Sequence, residues 1–153
     1  MFFSRLAAKF VFIFSVFILL CSGPAFAQQN KVLSMITKEQ LLKVMQEGGY
    51  SVVLNERKNL SWQIDGKRAV IFVNDGGKSL QFYAGFTGIV DLQVLNEWNK
   101  SKRYSRSYLD SAGDPSLELD LDLDGGVTVA RIYDFLKTCE ISFNLWRKHI
   151  AQQ

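Results

Sequence analysis

The sequence contains few residues of the kinds that build catalytic, metal or disulfide sites. Its 153 residues include one histidine, two cysteines and two prolines. The histidine, His149, lies near the end of the chain, and no Ser-His-Asp set is evident. Cys21 lies in a segment that we expect to be removed, so Cys139 alone remains and a disulfide within the mature chain is excluded. We predict that Cys139 lies on the core stripe of a helix as an inert thiol.

The chain also lacks a strong excess of either charge. Its net charge is +3, and residues 1–27 contain two basic and no acidic residues, so the remainder has a net charge of +1. Basic and aromatic residues interleave between positions 98 and 108, as in some surfaces that bind single-stranded nucleic acid. The overall balance of charge gives no support to such binding, and we predict no nucleic-acid partner.

Residues 1–27 have the pattern of a signal peptide. Two basic residues precede an apolar run over 10–20, and Ala25-Phe26-Ala27 matches an A-x-A cleavage site. The apolar run is shorter than the roughly 20 residues of a transmembrane helix. We expect cleavage between Ala27 and Gln28, a periplasmic location, and no stable membrane insertion after cleavage. An uncleaved anchor is the alternative.

The rest of the sequence predicts a single α+β domain over residues 37–153, preceded by a short disordered lead over residues 28–36. Thr37 and Gln40 form a capping-box pattern at the start of a helix. Four strand patterns, a helix, two further strands and a long helix capped by Thr128 follow. The element order α-β-β-β-β-α-β-β-α, with short hairpin connections, predicts an antiparallel sheet with helices packed against it.

Residues 117–124 alternate between apolar and acidic side chains, as in a strand with one buried face. Four leucines at 117, 119, 121 and 123 alternate with Glu118, Asp120, Asp122 and Asp124, which predicts one buried and one exposed face. In the preceding strand Tyr104, Arg106 and Tyr108 share a face. A five-residue loop over 111–115 would place Arg106 opposite Asp120, Tyr104 opposite Asp122 and Lys102 opposite Asp124.

The acidic strand also resembles part of a calcium loop. Asp120-x-Asp122-x-Asp124-Gly125 matches the first half of an EF-hand, but its twelfth position is Arg131 where a bidentate glutamate is needed. The leucines between the acidic residues favour a strand over a coordinating loop. We therefore predict no metal and no cofactor.

Two segments of this region resemble the YbjN domain family. They are the run from Leu95 to Asp110, which contains Asn96-x-x-Asn99, and the run from Gly113 to Thr128, which ends in Gly-Gly-Val-Thr. The resemblance implies a fold like that of type III secretion chaperones, which are commonly dimers that bind extended segments of other proteins. The family is described as regulators of sensory transduction without an established enzymatic activity, so it implies no catalytic residues. An exported chain departs from its cytoplasmic members.

The first functional hypothesis is a non-enzymatic, periplasmic protein-binding or chaperone-like module. Its partner would be another protein or a second copy in a homodimer, and dimerisation alone is the simplest version. We expect Trp62, Phe72 and Phe82 to pack in the core or across strands. The predicted binding surface comprises Trp98, Tyr104, Arg106, Tyr108, Asp120 and Asp122.

The alternative hypothesis is a carboxylate-based or metal-dependent enzyme that uses Asp120, Asp122 and Asp124. Paired carboxylates perform acid–base chemistry when their environments separate their pKa values. Regular alternation on one strand, opposite basic residues, would instead keep all of them ionised. The sequence therefore favours the binding module.

Overall fold

The computed structural model of the protein describes residues 31–152. Residues from Val32 onward form one compact unit. It contains three helices, α1 (Lys38–Glu47), α2 (Leu92–Ser101) and α3 (Val129–Ile150). The strands are β1 (Val32–Leu33), β2 (Val52–Leu54), β3 (Leu60–Ile64), β4 (Lys67–Asn74), β5 (Ser79–Gly85), β6 (Arg106–Leu109), β7 (Pro115–Asp122) and β8 (Val127–Thr128).

Six of the strands form one antiparallel sheet in the order β2-β3-β4-β5-β7-β6. The first four are a meander, as their short connections predict. The chain then passes through α2 to the edge strand β6 and returns through β7, which pairs with β5. The predicted α+β architecture with an antiparallel sheet is confirmed.

The first helix begins at the predicted capping box. Thr37 Oγ1 accepts a hydrogen bond from the Gln40 backbone N–H, and Gln40 Oε1 accepts one from the Thr37 N–H. These bonds satisfy two donors that a helix start would otherwise leave unpaired. Leu41, Val44 and Met45 then lie on the buried side of the helix.

The prediction of a disordered lead is wrong for residues 32–36. Val32 and Leu33 pair with Thr128 and Val127 of β8, immediately before α3. The Ile36 N–H donates to the Gly77 carbonyl at 2.9 Å, and the Ile36 side chain is only 2% exposed. Burial of the Ile36 side chain and the backbone hydrogen bonds of this segment together hold it against the domain. Residues 28–30 lie outside the described residues.

The core lies between one face of the large sheet and the helices. Alternate strand residues, including Trp62 and Phe82, join buried residues from each of the three helices in one cluster. Cys139 is fully buried on α3, and burial raises the pKa of its thiol, as expected for an inert core cysteine. The Trp146 Nε1–H donates to Ser107 Oγ at 2.8 Å, which ties α3 to β6 inside the core.

The predicted register of the β6–β7 hairpin is wrong by two residues. Arg106 pairs with Glu118, where Asp120 was expected, and Leu109 pairs with Pro115. The loop is Asp110–Asp114, because Asp110 Oδ1 accepts from the backbone N–H groups of Ala112 and Asp114 and closes the turn early. A shift by two keeps each side chain on its predicted face but changes its neighbour.

Within residues 31–152, no helix has the length and apolar character needed to cross a membrane. The predicted signal peptide over residues 1–27 lies outside the part of the chain that the structure describes.

Candidate protein-binding surface

One face of the six-stranded sheet points away from the core. Its strand residues alternate with those of the core cluster, and the helices of residues 31–152 pack on the opposite face. We call this surface the open face. It comprises Val53, Ser61, Gln63, Arg68, Val70, Phe72, Ser79, Gln81, Tyr83, Arg106, Tyr108, Ser116, Glu118, Asp120 and Asp122.

The open face changes from apolar to charged across the strands. A single row of paired residues crosses the whole sheet in the order Val53, Ser61, Val70, Tyr83, Glu118 and Arg106. On its apolar side Val53 is 62% exposed, and the ring of Phe72 lies 6.5 Å from that of Tyr83. Phe72 and Tyr83 are half-buried, so together with Val53 they leave apolar surface that a partner could contact.

The charged side of the open face is built around Glu118. This residue is only 7% exposed, and both of its carboxylate oxygens are bonded. The Arg106 Nε–H donates to Oε2 at 2.6 Å, and its second guanidinium nitrogen also contacts Oε2. The Tyr108 hydroxyl donates to Oε1 at 2.6 Å. Neighbouring β6 residues therefore hold a buried carboxylate from both sides, which fixes their own side chains.

The pKa values of Tyr108 and Arg106 are both raised at this site. For Tyr108 the largest cause is burial and the second is the hydrogen bond to Glu118, and together they raise its pKa well above the usual value. The hydrogen bond to Glu118 raises that of Arg106. Both groups therefore keep their protons, and the three side chains form a fixed arrangement of one carboxylate and two donors at neutral pH.

Ionisation of Tyr108 is expected to destabilise the fold at high pH. The raised pKa in the folded state means that its contribution is complete below about pH 10 and is lost as the pH rises above that value. Urea unfolding between about pH 9 and pH 11 should show stability falling more steeply in the native chain than in Tyr108→Phe. Tyr104→Phe is the control, because its hydroxyl makes none of these contacts. Equal slopes for the native chain and Tyr108→Phe would contradict the assignment.

The structure brings together four of the six residues of the predicted surface. Arg106, Tyr108, Asp120 and Asp122 all lie on the open face. Phe72, expected to pack across strands, also lies there against Tyr83. Val53 and Val70 are open-face residues that the sequence does not indicate, because a valine in a strand fits a core position equally well.

Trp98 and Tyr104 do not belong to the open face. Trp98 is 1% exposed, its Nε1–H donates to Ser105 Oγ at 3.1 Å, and its ring contacts His149. The prediction that it is part of a binding surface is wrong, because its place on the apolar stripe of α2 buries it. Tyr104 precedes β6 with a φ of 65° and is 77% exposed, so it does not share the strand face of Arg106.

The acidic residues of β7 do not form a reactive cluster. Asp124 pairs with Lys78 at 3.5 Å, where Lys102 was expected, and Asp122 Oδ1 accepts from the Asp124 N–H. Among residues 31–152, no three acidic, histidine or cysteine side chains are grouped so that they could hold a metal ion. His149 Nε2 lies 2.8 Å from the Val94 carbonyl, between α3 and α2, far along the chain from these carboxylates.

The sequence model of the YbjN family, described as "Putative bacterial sensory transduction regulator", matches residues 37–152 of this chain. The chain belongs to the YbjN family. The solved structure entitled "Crystal structure of YbjN, a putative transcription regulator from E. coli" has the same fold, with a TM-score of 0.60 at 17% sequence identity. The match covers 76% of this chain and 91% of that one. No curated protein sequence matches the chain.

Membership of the YbjN family bears on the choice between a binding module and an enzyme. A family described as regulatory supports a non-enzymatic regulatory or binding module, and it gives no support to the carboxylate-based enzyme. The similarity to the E. coli YbjN structure, at 17% identity, shows the fold.

Proposed function

We propose that the mature chain is an exported, non-enzymatic module that binds another protein through the open face of its sheet. The observation that carries this proposal is the composition of that face. The exposed Val53 and the half-buried Phe72 and Tyr83 form an apolar half that adjoins the fixed Arg106–Glu118–Tyr108 arrangement.

The side chains in the charged half of the open face are already held in place before a partner binds. Aromatic and arginine side chains contribute most to affinity at protein interfaces, and their contribution is larger when they are already held in one conformation. Tyr108 and Arg106 are held by Glu118, while 64% of the Arg106 side chain stays exposed. This surface can therefore bind a partner with little loss of side-chain entropy.

Export is the second part of the proposal. It rests on the basic start of the chain, the apolar run over 10–20 and the Ala25-Phe26-Ala27 motif. Processing after Ala27 would release into the periplasm a chain that begins at Gln28.

Photo-crosslinking in cells tests both parts of the proposal. The full chain, expressed in a Gram-negative bacterium with a photoreactive phenylalanine at Phe72, should appear in the periplasmic fraction with Gln28 as its first residue. It should form a crosslinked adduct with another protein. The same probe at Lys137, which is exposed on α3, is the matched control and should give no such adduct.

Three results would overturn the proposal in different ways. Unprocessed chain confined to the cytoplasm would refute export. Equal adducts from Phe72 and Lys137, or none from either, would refute the open face as the binding surface. An adduct formed only with a second copy of the chain would replace the partner protein with a homodimer.

A further inference from the structure

The β7 strand has an edge that is only half covered. On one side it pairs with β5 along Ser116–Asp122. On the other side β6 covers only Pro115–Glu118, because its first residue, Arg106, is the partner of Glu118. Within residues 31–152, the stretch 119–122 has no strand neighbour on that side. We call the space beside this stretch the β7 lane.

The backbone groups that point into the β7 lane follow from the ladder. Leu123 N–H donates to the Lys78 carbonyl on the β5 side, and Asp110 N–H donates to the Asp114 carbonyl on the β6 side. Since hydrogen-bonded residues alternate along an antiparallel strand, odd-numbered residues of β7 bond toward β5 and even-numbered residues toward β6. The N–H and C=O groups of Asp120 and Asp122 are therefore directed into the lane.

A groove of about 450 Å³ runs beside this edge, between β7 and α3. Its apolar lining is Leu119 and Phe135, which are 1% and 3% exposed, and its polar lining is Tyr104, Asp120, Thr138 and the Arg131–Asp134 ion pair. The positive φ of Tyr104 marks the place where the chain turns into β6. A strand in the lane would place alternate side chains against Leu119 and Phe135.

The intervening side chains of such a strand would lie beside Asp120 and Asp122 on the open face. Both aspartates are exposed, and their β5 neighbours are the uncharged Gln81 and Ser79. Neither forms an ion pair with any residue between 31 and 152. On the lane side, Arg106 attracts Asp120 only at longer range, because its guanidinium forms its ion pair with Glu118.

We propose that the β7 lane binds an extended segment of the partner protein, in which basic residues alternate with apolar ones. The segment adds as a strand beside residues 119–122. Its backbone bonds to Asp120 and Asp122, its basic side chains pair with their carboxylates, and its apolar side chains fill the groove at Leu119 and Phe135. This inference rests on the proposed protein-binding function and names the class of partner.

Binding of synthetic peptides to the mature chain tests the lane. A short acetylated and amidated peptide of alternating lysine and valine should bind in isothermal titration calorimetry. A matched peptide of alternating glutamate and valine should bind at least about tenfold more weakly. In the double variant Asp120→Asn/Asp122→Asn the lysine peptide should lose about tenfold in affinity. The control double variant Glu56→Gln/Asp65→Asn, which removes two carboxylates outside the lane, should bind like the native chain.

Backbone methylation of the lysine peptide separates strand addition from simple charge attraction. Methyl groups on one alternating set of peptide nitrogens should abolish binding, and methyl groups on the other set should leave it unchanged, because only one set faces β7. Equal affinity for both methylated peptides, or for the lysine and glutamate peptides, would overturn the inference, and so would the absence of peptide binding. Dissociation of a dimer by the peptide, seen by light scattering, would assign the lane to a second copy and also overturn it.

The two proposals fail in distinguishable ways. Crosslinking of Phe72 to another protein without peptide binding would refute the lane and leave the open-face function standing. Peptide binding in the lane without any adduct at Phe72 would refute the open face as the partner surface.

Discussion

Replacing Trp146 by alanine is expected to lower the free energy of unfolding by about 3–5 kcal/mol. The side chain is fully buried, and its ring stacks on Phe86 with 5.6 Å between ring centroids. Its Nε1–H also donates to Ser107 Oγ inside the core. The substitution leaves a large cavity between α3 and β6 and leaves the Ser107 hydroxyl without this partner.

Urea unfolding of Trp146→Ala and a matched control tests this expectation. Leu145 is the preceding residue of α3 but is 46% exposed, so Leu145→Ala should cost less than about 1 kcal/mol. Because single domains are stable by only about 5–15 kcal/mol, the first variant should approach the limit of folding and the second should not. Similar losses in both variants would mean that α3 does not pack through Trp146.

Replacing Gly77 by alanine is expected to cost about 3–5 kcal/mol, from backbone strain together with overpacking. Gly77 has a φ of 100°, and an added Cβ would lie 2.6 Å from the Ile36 carbonyl oxygen. The Gly77 carbonyl accepts the hydrogen bond from the Ile36 N–H, so a shift at this position also releases the segment before α1.

The adjacent glycine is a matched control for this substitution. Gly76 also has a positive φ, of 65°, but an added Cβ would meet nothing within 4 Å. Gly76→Ala should therefore cost only the left-handed backbone penalty, about 1–2 kcal/mol. Amide hydrogen exchange at Ile36 should accelerate strongly in Gly77→Ala and little in Gly76→Ala. Equal effects of both substitutions would show that the contact with Ile36 contributes nothing.

The secondary structure could be predicted because each element carries a local signal. Leu119 and Asp120 differ in hydrophobicity, and this contrast repeated along β7 fixes which face is buried. Thr37 and Thr128 cap helices through their own side chains, which depends on residues three positions away at most. These predictions required no knowledge of distant contacts.

The pairing of residues between neighbouring strands depends on individual side-chain contacts, which the pattern of hydrophobicity does not contain. The hydrophobic pattern does not predict the register of β6, because one side chain, Asp110, closes the loop through two backbone hydrogen bonds. A shift of two residues leaves the alternation of polar and apolar residues unchanged, so periodicity cannot detect it. This shift in register changes the candidate site, because Arg106 then bonds to Glu118 and β6 leaves the β7 lane uncovered.

The candidate surface was only partly predictable for the same reason. Trp98 and Tyr108 both combine an aromatic ring with basic neighbours in sequence, yet one is buried and the other lies on the open face. The difference comes from the packing of α2 against α3 and β6, which brings His149 and Ser105 to Trp98. Neither residue is adjacent to Trp98 in the chain.

The strand order also determines when the sheet can be completed as the chain emerges, N-terminus first, and folds. β5 pairs with β4 on one side and with β7 on the other, and Ser79 can pair with Asp122 only after Asp122 has emerged. Helix α2 and strand β6 emerge in between, so the centre of the sheet is closed by one of its last segments. Such non-local pairing slows folding. Until β7 has emerged, the partly folded chain presents the second edge of β5, with Leu80 and Phe82 beside it, to any other strand in reach.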